Sequence, residues 1–397
     1  MVGSMNGTIY MPVGEVCSSI SDTYREKKNM VTLINTSDVL EGRVLNHERV
    51  PNSNLKGQFK KTFQRDDILY SEIRPQNRRF AYVDFSPIDY IASTKLMVIR
   101  AKKDVVSPKY LYYFLKNSST VAELQLLAET RSGTFPQITF SEVANLTIPV
   151  PSLAVQEVIV QTMQCLEDKI TCNEQINDNL EQQAQSYFQE LFVDNADPEW
   201  AIGTISDLGT VVGGSTPSKA KPEYYTESGI AWITPKDLSI NKSKFVSHGE
   251  NDITELGLKN SSAAIMPEGT VLFSSRAPIG YIAIAAGEVT TNQGFKSVVP
   301  KPEIGTPFVY FFLKNTLPVI EGMASGSTFK EVSGSTMKNV PAVIPDAETL
   351  AKFSDFCAPI FAQQRILEEQ NQSLATLRDN LLPKLMSGEI DVSAVRL

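Results

Sequence analysis

YLYYFLKN (Tyr110 to Asn117) and FVYFFLKN (Phe308 to Asn315) are two similar octapeptides, identical at five of eight positions, that lie 198 positions apart in a chain of 397 residues. The match extends beyond them. The segment from Thr134 to Pro151 lines up with that from Thr328 to Pro345 at a shift of 194, and this shift continues without a gap as far as Leu385. The chain is therefore a tandem duplication of a unit of nearly 200 residues.

Upstream of the octapeptides the two copies match with small changes of register, as insertions in surface loops would produce. TLINTSDV (Thr32 to Val39) faces AWITPKDL (Ala231 to Leu238), and DILYSEIR (Asp67 to Arg74) faces TVLFSSR (Thr270 to Arg276). A solenoid repeat spans only about 20 to 50 residues, so each copy is expected to bury a core of its own.

The composition is that of a globular chain, with 42% hydrophobic and 21% charged residues and no apolar run of the roughly 18 residues that a membrane span needs. The N-terminal residues do not resemble a signal peptide. Four cysteines without CxxC spacing and two distant histidines indicate neither a zinc site nor a disulfide framework. We expect a cytoplasmic protein without a metal.

The first part of each copy has the pattern of short strands. DDILYSEIR, FAYVDF, TKLMVIRA and NLTIPVP are strand-length runs rich in β-branched and aromatic residues, and Pro, Gly and Asn separate them. The repeated octapeptide predicts one short helix within this mainly stranded domain. The pattern changes at Ser152, which can cap the N-terminus of a helix.

A long amphipathic helix is predicted to end each copy. Apolar residues recur every three or four positions from Val155 to Leu191, a length of ~55 Å at ~1.5 Å per residue. Asp346 caps the second helix, in which Pro359 and Pro383 are expected to cause kinks or a restart. The predicted seam residues are Ile159, Leu166, Ile170, Leu180, Leu191, Phe353, Ile360, Leu367, Leu374, Leu381 and Leu385.

The two seams can bury each other in a coiled coil or form core faces of a helical bundle, and the length of the helices favours the coiled coil. Asn173, Gln364 and Asn371 fall on or near the seams, where polar side chains lower stability but can fix the register. These patterns predict five segments: mainly stranded domains at 1–151 and 198–345, long helices at 152–197 and 346–390, and a tail at 391–397.

Charge is distributed unevenly over these segments. Ten carboxylates and one lysine lie between Leu153 and Glu199, so the first helix carries most of the net charge of −8. The globular domains can still bind nucleic acid, because a field that captures phosphate is local. The candidate DNA-contacting residues are Lys60, Lys61, Arg65, Arg74, Arg78 and Arg79 in the first copy and Lys219, Lys221, Lys236, Arg276, Lys296 and Lys330 in the second.

Motifs of catalysis are missing from the sequence. There is no Pro-Pro, which the usual adenine methyltransferase motif requires, and no GxxxxGK[ST] phosphate loop. GGSTPSK (Gly213 to Lys219) lacks the spacing of a dinucleotide site and predicts a tight surface loop. The sequence contains no recognisable catalytic constellation.

Three stretches, together with the two-copy layout, carry a resemblance to a known family: GGSTPSKAKPEYY, SGSTFKEVSGSTMKNVPAVIP and the terminal LRDNLLPKLMSGEIDV. Over essentially its whole length the chain resembles the DNA specificity (S) subunit of type I restriction-modification systems. The first copy has VCSSISDTY (Val16 to Tyr24) in roughly the place of GGSTP, so contact positions are not transferred between the copies.

The resemblance implies an α+β fold in which each mainly stranded domain is a target recognition domain and the two helices pack as an antiparallel coiled coil. Each domain is expected to read one half of a bipartite, asymmetric sequence in double-stranded DNA, without catalytic residues of its own. The implied partners are two modification subunits that use S-adenosylmethionine and restriction subunits that use ATP. The alternatives are a duplicated scaffold protein without DNA specificity and, less favoured, a self-contained enzyme.

Overall fold

The computed structural model describes residues 8–26, 28–53, 57–130, 136–326 and 330–392. The first residues of the two aligned segments, Thr134 and Thr328, lie outside this part. The chain divides into two compact units. Unit 1 combines the chain up to Ile170 with the part from Ser373 onward, and unit 2 runs from Thr171 to Gln372. Each unit therefore contains a portion of both long helices.

Unit 1 has twelve strands in its described part, together with short helices and one end of each long helix. The strands are β1 Ile9–Pro12, β2 Cys17–Ile20, β3 Met30–Ile34, β4 Val39–Leu40, β5 Arg43–Val44, β6 Val50–Pro51, β7 Phe59–Lys61, β8 Ile68–Ser71, β9 Phe80–Tyr82, β10 Tyr90–Ser93, β11 Leu96–Ala101 and β12 Thr147–Val150. The helices are α1 Val13–Val16, α2 Pro108–Lys116, α3 Ser118–Thr130, α4 Phe140–Asn145 and the long α5 Leu153–Gln189.

Two four-stranded sheets and a ribbon organise unit 1. One sheet has the antiparallel order β2-β11-β8-β9, and the other has the order β6-β3-β10-β7 with β3 and β10 parallel. β1 and β12 pair as an antiparallel ribbon. The runs that predicted strands became β8, β9, β11 and β12. Their alternating apolar residues and those of α2 form one buried core, which includes Tyr70, Phe80 and Tyr113.

Unit 2 repeats this plan with eleven strands among its described residues. They are β13 Ala201–Thr204, β14 Gly209–Gly213, β15 Tyr225–Thr226, β16 Trp232–Ile233, β17 Phe245–Val246, β18 Asp252–Ile253, β19 Val271–Ser275, β20 Ile279–Ala285, β21 Thr290–Thr291, β22 Lys296–Pro300 and β23 Pro341–Ile344. The helices are α6 Ile205–Leu208, α7 Pro235–Ile240, α8 Glu255–Lys259, α9 Thr306–Met323, α10 Gly334–Lys338 and the long α11 Ala347–Ser387.

The main sheet of unit 2 has the order β14-β22-β19-β20-β17 and corresponds to β2-β11-β8-β9 of unit 1. β13 and β23 form the same antiparallel ribbon as β1 and β12. The aligned residues Ile138 and Val332 are both fully buried, and their N–H groups donate to Glu72 O (2.9 Å) and Ser275 O (3.0 Å). The two copies thus share tertiary hydrogen bonds as well as sequence.

The repeated octapeptide is helical in both copies, as predicted, but the helices differ in length. In the first copy α2 ends at Lys116 and a separate helix, α3, starts at Ser118. In the second copy α9 continues to Met323 through Pro318. The prediction of one short helix per copy is therefore correct for the first copy only.

The long helices begin where the sequence indicated. The N–H of Val155 donates to Ser152 Oγ at 3.4 Å, and the N–H of Thr349 donates to Asp346 Oδ1 at 2.9 Å. α5 ends in a π-helical turn at Glu190–Asp194. α11 is continuous through Pro359 and Pro383, so the expected restart does not occur.

Within each unit the two long helices pack against each other. In unit 2, Asn173 bonds to Asn371, and the side chain of Gln364 donates to Asn177 O at 3.2 Å. From Asn173 to Asn177 on α5, the contacting residues on α11 run backward from Asn371 to Gln364, so the two helices pack antiparallel. In unit 1, Ile159 and Leu385 belong to one buried core.

The predicted seam residues are all buried or partly buried. Ile159, Phe353, Ile360, Leu367 and Leu385 are buried, whereas Leu166, Ile170, Leu180, Leu191, Leu374 and Leu381 are partly buried. Leu191 lies in the π-helical turn beyond the regular part of α5. The two long helices are an antiparallel coiled coil, as predicted.

Candidate nucleic-acid interface

One end of the main sheet in unit 2 brings several polar loops together. Gly213, at the end of β14, pairs with Lys296, at the start of β22, and Ser275 of β19 pairs with Ile279 of β20. Because these neighbouring strands are antiparallel, the loop after β14, the turn before β22 and the β19–β20 turn all leave the same end of the sheet.

The GGSTP stretch forms the first of these loops and is closely attached to the second. The N–H of Ser215 donates to Thr291 O at 2.8 Å, and the hydroxyl of Thr216 bonds to Gln293 Oε1. A Cβ on Gly214 would lie 2.0 Å from Asn292 O, so this position requires glycine. The stretch is a loop, as predicted, and its contacts give it a fixed shape.

Two aromatic side chains donate hydrogen bonds to backbone carbonyls of the same loop. The indole N–H of Trp232 donates to Ser215 O at 3.0 Å, and the hydroxyl of Tyr225 donates to Pro217 O at 2.6 Å. Trp232 is buried and Tyr225 is partly buried, and their rings meet edge to face with centroids 5.6 Å apart, so each side chain contributes both packing and a hydrogen bond. These two hydrogen bonds hold the loop backbone at Ser215 and Pro217.

The predicted basic residues of unit 2 differ in their surroundings. Arg276 and Lys296 approach the two carboxylate oxygens of Glu331 at 3.5 and 3.8 Å, and burial lowers the pKa of Lys296. Lys330 is the exposed neighbour of Glu331. Arg276 and Lys296 thus share one carboxylate, so these three side chains together carry a net positive charge.

The remaining candidates of unit 2 are exposed. Lys219 and Lys221 lie on the GGSTP loop, and the ammonium of Lys221 donates to Tyr224 Oη at 3.1 Å. Lys236 pairs with Glu250 at 2.5 Å, but both side chains are about 60% exposed, so the pair contributes little to stability. Pro235, directly before Lys236, lies close to Gly294 in the turn before β22.

In unit 1 the corresponding sheet end carries the β8–β9 turn. Arg74 and Arg78 adopt left-handed backbone conformations with φ of 45° and 51°, which side-chain-bearing residues rarely do. Arg78 donates to Ser118 Oγ at 2.9 Å, and Arg79 donates to Ser37 O at 2.9 Å. The three arginines therefore share one turn, and two of them also support its shape.

The turn also corrects the sequence comparison by one residue. Glu72 and Ser275 accept the equivalent N–H groups of Ile138 and Val332, so Arg74 corresponds to Ala277 and not to Arg276. Arg74 and Ala277 both have a left-handed φ and both precede a proline. Sequence alone could not show this, because the two aligned segments differ in length and both end in arginine.

The other three candidates of unit 1 lie on or near β7, which belongs to the second sheet. Lys60 and Arg65 are exposed. The ammonium of Lys61 donates to Thr94 O (3.1 Å) and Leu96 O (2.8 Å), and burial lowers its pKa. Lys61 thus has a role in joining strands.

The sequence did not single out Lys95, which directly follows Thr94 after β10. The ammonium of Lys95 lies 3.3 Å from Glu72 Oε2 in the β8–β9 turn. The sequence also did not single out Gln293. A lone Lys or Gln in a short turn carries no signal of its own. Only the sheet topology brings Lys95 to the sheet end that carries the arginines of unit 1, and Gln293 to the sheet end that carries Arg276 in unit 2.

A second group of polar residues lies at the helices of unit 2 and supports the sheet. The ammonium of Lys244, just before β17, lies 2.8 Å from Glu181 Oε2 of α5 and 3.5 Å from the ring centroid of Phe361. Lys314, within the repeated octapeptide, pairs with the other oxygen of Glu181 at 2.5 Å. Glu368 of α11 accepts the N–H groups of Lys244 and Phe245.

The pKa of Glu181 reflects this environment. Burial alone would raise it, but Lys244 and Lys314 outweigh burial and lower the pKa to about 2. Unit 1 contains a related contact, in which Lys116 of the first octapeptide bonds to Glu167 of α5. Both octapeptide lysines therefore bind carboxylates of the acidic helix, which fixes each domain to α5.

Neither a metal site nor a membrane-spanning helix is found among the described residues. In residues 8–26, 28–53, 57–130, 136–326 and 330–392, no three His, Cys, Asp or Glu side chains are grouped to hold a metal ion. Nor does any helix in this part have the length and apolar character required to cross a bilayer.

Comparison with known proteins identifies the family. The model of the type I restriction modification DNA specificity domain matches twice, at residues 10–182 and 198–377. The HindI specificity subunit of Haemophilus influenzae is 29% identical over 91% of this chain and 94% of its own length. The MjaIX specificity subunit of Methanocaldococcus jannaschii is 39% identical over 47% of this chain and 45% of its own length.

A solved structure has the same fold. The crystal structure of a type I restriction-modification S subunit from M. genitalium aligns with a TM-score of 0.56 at 17% identity and covers 97% of this chain and 98% of that one. The two matched domains span most of the sequence and coincide with the two copies of the repeat. The chain belongs to the type I restriction-modification DNA specificity family and carries two specificity domains.

Proposed function

We propose that this chain is the non-catalytic specificity subunit of a type I restriction-modification complex, in which each domain reads one half of a bipartite, asymmetric DNA target. One observation carries the proposal: two specificity domains share buried contacts, whereas their exposed loops differ. The contacts from Ile138 and Val332 are equivalent, but the β8–β9 and β19–β20 turns differ in length and in the position of arginine. A shared scaffold with different loops suits two different target words.

The loop ends of the two main sheets are the proposed DNA-facing surfaces. Arginine and lysine recognise guanine, Asn and Gln recognise adenine, and lysine also binds phosphate without regard to sequence. Of the twelve basic candidates, the exposed ones suit phosphate or base contact best: Arg74, Lys219, Lys221, Lys236 and Lys330, together with Lys60 and Arg65 on or near β7 of the second sheet. Lys61 is used within the protein, and Arg78, Arg79, Arg276 and Lys296 combine a structural contact with partial exposure.

The two long helices are proposed to set the distance between the half-sites. We assign the recognition domains to residues 1–151 and 198–345, the spacer helices to 152–197 and 346–390, and a tail to 391–397. The gap between two recognised words depends on how rigidly the two domains are held. The buried side-chain contacts along the coiled coil support this role.

Partner subunits are proposed to carry out the chemistry in the cytoplasm. Two modification subunits would bind S-adenosylmethionine and methylate adenine after flipping it from the duplex, and restriction subunits would use ATP to move along and cut DNA. A duplicated chain offers two similar docking surfaces, which suits two copies of one partner. The acidic helix from Val155 to Leu191 is a candidate for part of that surface.

The test is the adenine methylome of the host cell with and without the gene, read by single-molecule sequencing. We expect one split, asymmetric methylated motif to disappear on deletion and to return with the wild-type gene. An unchanged methylome, together with no duplex binding by the complex reconstituted with its modification subunit, would instead favour the scaffold alternative.

A further inference from the structure

Unit 2 has an open apolar groove on the side of its β13–β23 ribbon. The groove has a volume of about 370 Å³, and its walls come from the end of α5, from α9 and from the ribbon. Phe192, Trp200, Ile202, Phe312 and Val343 are among the residues that line it. The side chain of Ile202 is 87% exposed and that of Val343 is 41% exposed, although the two are directly paired across the strands.

Such an arrangement is unusual for a solvent-facing surface. Single exposed apolar side chains are common, but an exposed cross-strand pair above an aromatic groove is typical of surfaces that contact another molecule. Val319 and Met323 continue the apolar face of α9 beyond Phe312 at helical spacing, and they are 51% and 37% exposed. The groove therefore has the shape and lining that accept an apolar segment.

The rim of the groove is acidic. Asp194, Asp197 and Glu199 are exposed between the lining residues Val193 and Trp200, and no Lys or Arg occurs from Glu190 to Ile202. Asp346 accepts the indole N–H of Trp200 at 3.0 Å. These carboxylates would repel the phosphates of DNA and attract lysine or arginine.

Unit 1 carries a related surface at the equivalent ribbon. Tyr10 pairs with Pro149 as Ile202 pairs with Val343, and Ile9 and Tyr10 are each 60% exposed. The exposed apolar residue at this strand position is thus present in both copies. A feature that each recognition domain repeats suits a partner that binds once per domain.

Resting on the proposed function, we propose that the apolar groove of unit 2, with its acidic rim, docks one modification subunit through an apolar segment flanked by lysine or arginine. The exposed face of β1 docks the second modification subunit in the same manner. Methylation within each half of the target requires a catalytic subunit beside each recognition domain, and docking surfaces on the domains themselves provide this. The carboxylates steer the basic segment, and Ile202 or Tyr10 is buried on association.

The experiment is native mass spectrometry of the complex co-expressed with its modification subunit. We expect two modification subunits on the wild-type chain, one on Ile202→Asp, one on Tyr10→Asp and none on the double variant, since each aspartate weakens its own site by about tenfold or more. Ile240→Asp is the matched control, because Ile240 is 70% exposed in unit 2 but away from the groove, and it should retain two subunits.

A second, independent test changes the charge of the acidic rim of the groove. The variant Asp197→Lys with Glu199→Lys should weaken binding at low salt by about tenfold, and high salt should reduce the difference from wild type. Unchanged thermal unfolding of each variant would show that a loss of partner is not a loss of fold.

The outcomes separate the two proposals. A wild-type chain that binds no modification subunit contradicts the proposed function. If the wild-type chain binds two modification subunits and the Ile202→Asp variant also keeps both, the docking inference alone is overturned. It is equally overturned if the variant keeps both modification subunits and loses only the restriction subunit or DNA.

Discussion

The ammonium of Lys244 and the carboxylate of Glu181 lie 2.8 Å apart in unit 2, although Lys244 belongs to the second copy of the repeat and Glu181 to the helix of the first. Tyr310, Phe311 and Phe361 surround the ammonium. A buried pair of this kind needs both partners, because removing one leaves an uncompensated charge in an apolar site.

Glu181→Gln should therefore destabilise the protein. Lys244 and Lys314 would lose their shared carboxylate, at a cost of about 3–5 kcal/mol in the free energy of unfolding. Urea or guanidinium denaturation measures this cost. Asp178→Asn, at an exposed position on the same helix, is the control, and an equally large effect there would contradict the explanation.

The acid dependence of stability should change with the same substitution. Glu181 has a pKa of about 2 in the folded chain, below its ordinary value of 4.5, because its two lysine partners outweigh burial. A lowered carboxyl pKa contributes stability that is present above the ordinary value and is lost as pH falls toward 2. Between pH 5 and 3, the wild type should lose more stability than Glu181→Gln, as denaturation at several pH values would show. Parallel pH profiles would contradict this.

Asn173 and Asn371 provide a test of the coiled coil. Asn173 is fully buried, and its amide donates to Asn371 Oδ1 at 2.8 Å. Replacing both with Leu should raise the free energy of unfolding by about 1–2 kcal/mol, because a well-packed apolar pair replaces buried amides. Thermal unfolding measures the change, with Gln175→Leu at an exposed position as control. A lower melting temperature in the double variant would show that the amides are essential to the fold.

Gly214 and Gly213 form a matched pair of neighbours. A Cβ on Gly214 would lie 2.0 Å from Asn292 O, whereas a Cβ on Gly213 would meet nothing within 4 Å. Gly214→Ala should destabilise the protein by about 1–3 kcal/mol and alter only the half-site read by the second domain, and Gly213→Ala should do neither. Thermal unfolding and methylome sequencing of the two variants are the measurements. Equal behaviour of both variants would count against a fixed GGSTP loop.

The four cysteines should divide into two classes. Cys165 and Cys172 are exposed, whereas Cys17 and Cys357 are buried and burial raises the pKa of each to about 12. A thiol reagent should label the first two rapidly in the native chain and all four after denaturation, because the thiolate is the reactive form. Rapid native labelling of Cys357 would show that the core around α11 opens readily.

Much of the fold could be predicted from sequence because it depends on local pattern. The duplication and the strand-length runs were visible directly, and Ser152 and Asp346 cap helices as their residue types suggest. The restart expected as one alternative at Pro359 does not occur, because α11 is continuous there and Phe353 and Ile360 on either side of the proline are packed in the core.

The candidate site was less predictable. Basic residues can be counted in a sequence, but whether an ammonium is exposed depends on distant partners. Lys61 binds carbonyl groups of Thr94 and Leu96, more than 30 positions away, and this contact has no sequence signal. The correspondence of Arg74 with Ala277 likewise became visible only through tertiary hydrogen bonds.

The division of both long helices between the two units affects how mutations are interpreted. Residues 171–189 of α5 belong to unit 2, and the part of α11 from Ser373 onward belongs to unit 1. A substitution in the last part of α11 can therefore damage unit 1, which consists mainly of the first copy, and one in the second half of α5 can damage unit 2, which consists mainly of the second copy. Genetic mapping of specificity defects along the linear sequence would assign such mutations to the wrong half of the DNA target.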